Sequence, residues 1–430
     1  MAAGLNVLIL GSGGREHAIG LKLSQAAPKP DLIFAPGNPG MAALGNCFPV
    51  AADDIPGILS LVKKQGVDFT IVGPEIPLVK GMVDAFLKEG LPIFGPTAAA
   101  AQLEGSKAFA KAFMQRHKIP TAEFQTFDAL DSALAHLKKT GAPVVVKTSG
   151  LAAGKGAVVC QTIEEAQAAI YSMLGPNAVF GEAGREVVIE EFMEGEEASV
   201  FAVCDGTRFA LLPTAQDHKR IFEGDRGPNT GGMGAYSPAP LMTPPMLDRI
   251  GREIIKPTLD GMRSEGHPYQ GILFVGIMVT PRGDPKVVEF NCRLGDPETQ
   301  AVLPVYPGDL LQLFRNAASG KIPETPPIAP RHHAAVVVLA SGGYPGEYRT
   351  GIAIEGVARA EKIPGVQVIH AGTRIQAGVL QTSGGRVLGI VGEAESLTRA
   401  LGIAYSGCAE IHFEGLHFRR DIGHRAVKNI

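Results

Sequence analysis

Residues 286–298, "KVVEFNCRLGDPE", set polar side chains at every second position. In an extended strand Glu289, Asn291 and Arg293 share one face, while Val288, Phe290 and Cys292 share the other. A carboxylate and an amide oxygen in a row are hard ligands that suit Mg²⁺, which takes few protein ligands and completes its shell with phosphate and water. The neighbouring guanidinium suits a phosphate or a carboxylate. The plainer reading is an exposed polar strand face; the cleanly apolar opposite face favours the metal.

A second signal is "VVVKTSGLAAGKGAVV", residues 144–159. Gly154-Lys155-Gly156 invites comparison with a P-loop, which needs G-x-x-x-x-G-K followed by Ser or Thr and then a helix. Here the spacing from Gly150 is one residue short, and Gly156 stands where the hydroxyl should be. β-Branched residues flank the glycines on both sides, so the prediction is a hairpin tip carrying a lysine.

In "VVIEEFMEGEEASV" the acids Glu190, Glu191, Glu194, Glu196 and Glu197 surround Phe192 at the end of an apolar run. That pattern is either a solvated charged face or a strand end able to hold adenine and ribose. Residues 215–238, "AQDHKRIFEGDRGPNTGGMGAYSP", form a long stretch rich in charge and glycine, and a loop of that length is more often functional than idle. The eleven histidines show no H-E-x-x-H, and there is no G-x-S-x-G elbow. His218, His332 and His333 read as surface or structural. Covalent catalysis is disfavoured, and phosphoryl transfer by positioning gains ground.

These residues need elements to hold them. The apolar runs "NVLIL", "DLIFA", "DFTIV" and "LPIFG" each end in a Gly/Pro loop, with helical stretches between, which predicts a parallel β-α-β sheet with its loops at one edge. The first loop, Gly11 to Glu16, lacks the third glycine of G-x-G-x-x-G. It is either a tight strand-to-helix turn or an anion-binding helix start. From Glu104, "EGSKAFAKAFMQRHKIP" predicts an amphipathic helix with Phe109 and Phe113 on one face, stopped by Pro120. Residues 121–188 read strand, helix, hairpin, helix, strand. A mixed region follows, then a linker at "IPETPPIAP" and a small α+β end domain.

The 430 residues are too many for one core, and 45% hydrophobic with 19% charged residues describes a globular protein with many turns, given 54 Gly and 32 Pro. A net charge of -3 gives no basic excess for nucleic acid or anionic membrane, so small-molecule partners are expected. Five scattered cysteines without C-x-x-C spacing suit reduced, buried thiols in a reducing cytosol. No basic n-region precedes the first strand and no apolar run approaches ~20 residues, so a cytoplasmic protein without a signal peptide or membrane span is expected.

Taken together, "GGREHA", "VGPEIPLVKG", "FGPT", "QLEGSKAF", "GLAAGKG", "QDHKR", "GPNTGGMGAYSP", "EFNCRLGDPETQ", "ASGGYPG", "HAGT" and "DIGHRA" resemble the ATP-grasp superfamily. Within it the chain is most similar to the phosphoribosylamine-glycine ligases, over essentially its whole length. One departure is Lys147-Thr148-Ser149-Gly150, where that family usually reads K-A-D-G.

The resemblance implies a mixed α/β and α+β multidomain architecture. Residues 1–104 would form a parallel-sheet (pre-ATP-grasp) domain, 105–121 and 189–326 the ATP-grasp core, 122–188 its lid, and 327–430 a small α+β C-terminal domain. It implies ATP between two antiparallel sheets: Lys107 and Lys147 on phosphates, the lid residues Gly154, Lys155 and Gly156 above them, Glu190, Glu191 and Phe192 along adenine, and Glu197 on the ribose. Glu289 and Asn291 would bind Mg²⁺ or Mn²⁺; Lys219, Arg293 and Asp296 would be catalytic. Gly13, Gly14, Arg15, Glu16, Glu75 and Asp296 would meet phosphoribosylamine.

For the substrate's 5'-phosphate, Arg374 and Arg386 offer guanidinium donors beside glycine turns, or are ordinary surface arginines. The implied reaction joins glycine to 5-phosphoribosylamine through glycyl phosphate, with a monomer or weak homodimer as the assembly. The rivals are a Rossmann oxidoreductase, another ATP-grasp ligase or carboxylase, and a non-catalytic nucleotide sensor.

Overall fold

The computed structural model describes residues 4–152, 156–323 and 329–427. Gly154 and Lys155, and most of the expected linker, lie outside the described residues. The opening runs form a five-stranded all-parallel sheet in the order Asn46–Cys47, Asp31–Pro36, Asn6–Gly11, Phe69–Val72, Ile93–Phe94. Val7 to Leu10 are fully buried, as a central strand covered on both faces requires. The sheet order reverses at Asn6–Gly11, so the crevice beyond its carboxyl end is the expected ligand position.

Two antiparallel sheets follow. The first joins Phe124–Phe127, Val187–Glu191, Val144–Thr148 and Ala157–Cys160, backed by the helices Leu130–Thr140 and Ile163–Leu174. Ala133, Leu137, Val146, Ile170 and Met173 make its own small core. The second joins Phe209–Leu211, Glu196–Asp205, Gln270–Val279 and Pro285–Asn291. The chain passes from one sheet to the other through residues 192–195. Gly195 is required there, because its φ is +147° and a Cβ would stand 2.2 Å from the carbonyl oxygen of Val279.

The helix Lys107–Arg116 starts at Ser106, whose hydroxyl accepts from the Phe109 amide at 3.1 Å. It buries Phe113 and Met114, and Phe109 is only half-buried.

The third sheet holds a seam that sequence patterning does not show. Its order is Gln216–Asp217, Gly234–Ser237, His333–Ala340, Arg386–Ala394, Val366–His370. Two short strands from the middle of the chain thus extend the sheet of the last third, which the helix Leu397–Glu410 covers. Strands of two and four residues are too short for an alternating pattern. Among the described residues no helix is long and apolar enough to cross a membrane. Four of the cysteines are buried and Cys47 is half-buried, and all five are free thiols.

Candidate active site

A cavity of about 620 Å³ opens between the two antiparallel sheets. Lys107 and Lys111 reach it from one face of the helix Lys107–Arg116, and Lys147 from the strand Val144–Thr148. Lys147 donates to Glu190 Oε2 at 2.9 Å and to the carbonyl of Val288 at 3.2 Å. Lys111 meets the same Glu190 Oε2 at 3.1 Å. Glu190 Oε1 is buried without a hydrogen-bond partner. Lys107 has no ion-pair partner among the described residues, and burial lowers its pKa. Glu191 also lines the cavity and accepts from Lys286 Nζ at 2.8 Å and from the Glu123 amide at 3.2 Å. Phe192, Met193 and Gly156 complete this end of the lining.

At the other end Lys219 pairs with Glu197, and it also faces Asp217 and Glu289. Burial disfavours its charge, but these three carboxylates outweigh burial and raise its pKa. Half-buried Asp217 at the cavity wall is pushed up to about 7 by desolvation and by Glu298 and Glu197, despite Lys219.

The strand Pro285–Asn291 carries the row read from sequence, with one correction. Gly276 pairs with Glu289 and Ile277 with Val287, so the register slips by one residue at a bulge. Val287, not Val288, continues the buried face with Phe290 and Cys292; Val288 lines the cavity and gives its carbonyl to Lys147. Glu289 and Asn291 still face the cavity. Burial would raise the Glu289 pKa, but Lys219, Lys147, Lys107 and Arg293 together hold it below the usual carboxylate range. Two ionised or strongly polar oxygens fit a hard cation; among the described residues no cluster of three or more His, Cys, Asp or Glu forms a metal site.

Arg293 is fully engaged. It donates to Glu75 Oε2 at 3.1 Å, Asn291 Oδ1 at 3.3 Å and the Leu294 carbonyl at 3.1 Å, and pairs with Glu104 Oε1 at 3.0 Å. Glu104 also accepts from the Cys292 amide at 2.7 Å.

A smaller cavity of about 470 Å³ lies beyond the carboxyl end of the parallel sheet. Ser12, Gly13, Gly37 and Asn38 line one side, Gly372, Thr373 and Ser383 the other, and Asp296 and Arg386 border both cavities. Arg386 pairs with Asp296 Oδ2 at 3.0 Å and donates to the Gly231 and Asp296 carbonyls, both at 2.7 Å. Gln300 donates to Asp296 Oδ1 at 2.8 Å. Burial would raise the Asp296 pKa, yet Arg386, Arg15 and Arg293 hold it low.

The chain fits the models of the phosphoribosylglycinamide synthetase N domain over residues 5–104, its ATP-grasp (A) domain over 105–299 and its C domain over 334–425. The chain belongs to the phosphoribosylglycinamide synthetase family. It is 50% identical to the phosphoribosylamine–glycine ligase of Vibrio vulnificus (strain CMCP6), over 98% of this chain and 99% of that one. It is 48% identical to the Escherichia coli (strain K12) phosphoribosylamine–glycine ligase over 99% of each. The crystal structure of phosphoribosylamine–glycine ligase from Thermotoga maritima superposes with a TM-score of 0.84 at 35% identity, covering 97% of this chain and all of that one.

Within the family pattern, several residues read from sequence take other places. Glu16 does not face a cavity: its carboxylate caps its own helix, accepting from the Gly13 amide at 2.7 Å and from Arg15 Nε at 2.5 Å. Gly11 and Gly73 make room for it, since a Cβ on either would stand 2.6 Å and 2.3 Å from its side chain. The position of the missing third glycine therefore holds a cap. Gly14 packs against Gln300 of the helix Glu298–Val305. Arg15 borders the larger cavity beside Glu75. Arg374 lies exposed on the strand Thr373–Gln376, away from both cavities.

Ser149, where the family usually has Asp, ties the lid base to the lysine-bearing helix. Its carbonyl accepts from the Lys107 amide at 2.8 Å and its hydroxyl from the Ala108 amide at 3.2 Å. Sequence reasoning missed Glu104, Lys111, Asn38 and Asp217. Only Lys111 left a signal, one turn beyond Lys107.

Proposed function

We propose that the larger cavity binds ATP and the smaller one 5-phosphoribosylamine, and that the chain ligates glycine to that amine as its family relatives' names state. What supports this most is the contact between the cavities: Asp296 and Arg386 border both, so a group activated in one is within reach of a nucleophile in the other.

Glycine's carboxylate attacks the γ-phosphorus of ATP, ADP leaves, and glycyl phosphate forms. The amine of phosphoribosylamine then attacks the acyl carbon, phosphate leaves, and glycinamide ribonucleotide results, a step of purine biosynthesis. A carboxylate has no leaving group of its own, and phosphorylation supplies one. Lys107 and Lys147 bind phosphates; the orphan acceptor on Glu190 suits adenine's amino group, with Phe192 on the ring and Glu197 at the ribose. Glu289 and Asn291 would hold Mg²⁺ or Mn²⁺, which when bound offsets phosphate charge. Arg293, fixed by Glu75 and Glu104, and Lys219 counter charge on the reacting anions. Asp296, ionised beside Arg386, accepts from the incoming amine. Gly13, Gly37 and Asn38, whose own amides are engaged within the protein, shape the wall beside the sugar phosphate, with Arg386 at the border. The lid over 122–188 keeps water from the acyl phosphate.

We place it in the cytoplasm as a monomer or weak homodimer; the exposed apolar side chains Ile76, Tyr171, Phe222 and Ile375 sit on four different elements and not in one patch. The test is ADP release with each substrate omitted in turn. Full release should need ATP, glycine and phosphoribosylamine together; turnover supported by bicarbonate instead of glycine would overturn the reading.

A further inference from the structure

Glu190 shares one oxygen between two lysines. Lys147 comes from its own sheet and Lys111 from the helix Lys107–Arg116, while the second oxygen is buried, unpartnered and borders the larger cavity. Lys111 is 2% exposed and donates onward to Thr121 Oγ1 at 2.8 Å, and that hydroxyl donates to the Val287 carbonyl at 2.7 Å. Two cations against one carboxylate leave the trio with a surplus positive charge. Without Lys111, Lys147 alone would hold Oε2, and Glu190 could turn both oxygens onto that one lysine.

We infer that Lys111 is a positioning residue for nucleotide selection: by anchoring Glu190 Oε2 it keeps Oε1 available as an acceptor, which favours a purine with an amino group at position 6 over one with a carbonyl. By sharing Glu190 it also lessens that carboxylate's hold on Lys147, whose third N–H donor remains for a phosphate beside those given to Glu190 and the Val288 carbonyl. The inference rests on the proposal that ATP occupies this cavity. An amino group donates to Oε1, whereas a 6-carbonyl would set two acceptors against each other in a buried site.

Burial brings the Lys111 pKa down to about 8 against the pull of Glu190. The groups facing it are Glu190 and Glu191 on one strand, Lys147 on the next, the Phe124 ring at 5.7 Å and the Thr121 hydroxyl; Lys286 reaches Glu191 from the second sheet. Its proton is therefore released within a testable range.

The experiment is steady-state kinetics of the full chain with ATP and with GTP, for the wild type and Lys111→Met. In the variant the KM for ATP should rise about ten-fold, the loss expected for one charge-assisted hydrogen bond, with kcat at saturating ATP and the KM for glycine retained. The ATP-over-GTP preference in kcat/KM should fall by a similar factor. In the wild type the same preference should fall as pH rises through about 8, a readout that does not depend on the variant folding. Equal losses for ATP and GTP, or a preference flat in pH and unchanged by the substitution, would overturn the inference while leaving the ATP site standing. A wild type that does not saturate with ATP would overturn both.

Discussion

The larger cavity and the smaller one treat charge differently. In the first, groups are left with open valences: Lys107 has no ion-pair partner among the described residues, and Glu190 Oε1 has no hydrogen bond. At the border with the second, Asp296 is held by Arg386 on one oxygen and by Gln300 on the other, although Gln300 Oε1 is itself buried without a partner. An open valence is suited to a ligand that brings its own charge, such as a nucleotide polyphosphate. A closed network is suited to holding a geometry, because each member is fixed by its neighbours before any substrate arrives.

The strongest way to break this comparison is at Glu289, the acid that balances the cations of the open side. Glu289→Gln keeps the shape and removes the charge. We expect kcat to fall by roughly 10³-fold, the scale of losing one major electrostatic stabiliser, with the thermal midpoint measured alongside. Retained Mg²⁺-dependent turnover would remove Glu289 from the metal site.

Opening the closed network should cost less. Arg386→Ala frees Asp296 and unties the Gly231 loop, and the loss of charge-assisted bonds is worth about 1.5 to 3 kcal/mol. The effect should appear in the KM for phosphoribosylamine, with the constants for ATP and glycine nearly unmoved. A defect confined to ATP would place Arg386 in the open side.

A smaller effect tests what holds the second cavity's two walls together. His17 from the first helix and His370 from the last domain meet where the His370 amide donates to His17 Nδ1 at 2.9 Å, and Asn38 donates to the Ser12 and His370 carbonyls at 2.9 and 2.8 Å. Burial lowers the two histidines from 6.5 to about 3 and about 4. Their folded-state values lie below the unfolded one, so their contribution is complete above pH 6.5 and is lost as pH falls toward 3. Each should give a slope of about 1.4 kcal/mol per pH unit in that window. His17→Asn keeps an acceptor but does not titrate, so denaturant unfolding between pH 6.5 and 4 should show a shallower slope. An unchanged slope would mean the joint does not hold neutral histidines.

The smallest signal is expected in the lid. The strands Val144–Thr148 and Ala157–Cys160 should gain amide protection when ATP binds, while the parallel sheet should not. Equal exchange with and without ATP would detach the lid from the open cavity.

Much of this was legible before any coordinates. Periodicity and Gly/Pro punctuation mark the parallel sheet, the lid and the row at Glu289, because each is built from local repeats. The bulge at Val288 escaped, since a one-residue slip is set by pairing across strands and not by the strand's own pattern. The family resemblance implies a substrate contact at Glu16; its carboxylate instead turns back on its own helix, into space left by Gly11 and by Gly73, the latter 57 residues beyond Glu16. Glu104 and Asn38 escaped for the same reason: their partners, Arg293 and the His370 carbonyl, are distant in sequence. The short strands Gln216–Asp217 and Gly234–Ser237 carry no period at all.

The central claim is that one carboxylate is activated in the open cavity and attacked from the closed one. Glycine labelled with ¹⁸O in both carboxyl oxygens tests it in a single turnover mixture with ATP and phosphoribosylamine. If glycyl phosphate lies on the path, one labelled oxygen leaves with inorganic phosphate and the other stays in the amide. Unlabelled phosphate released in step with product would contradict the account.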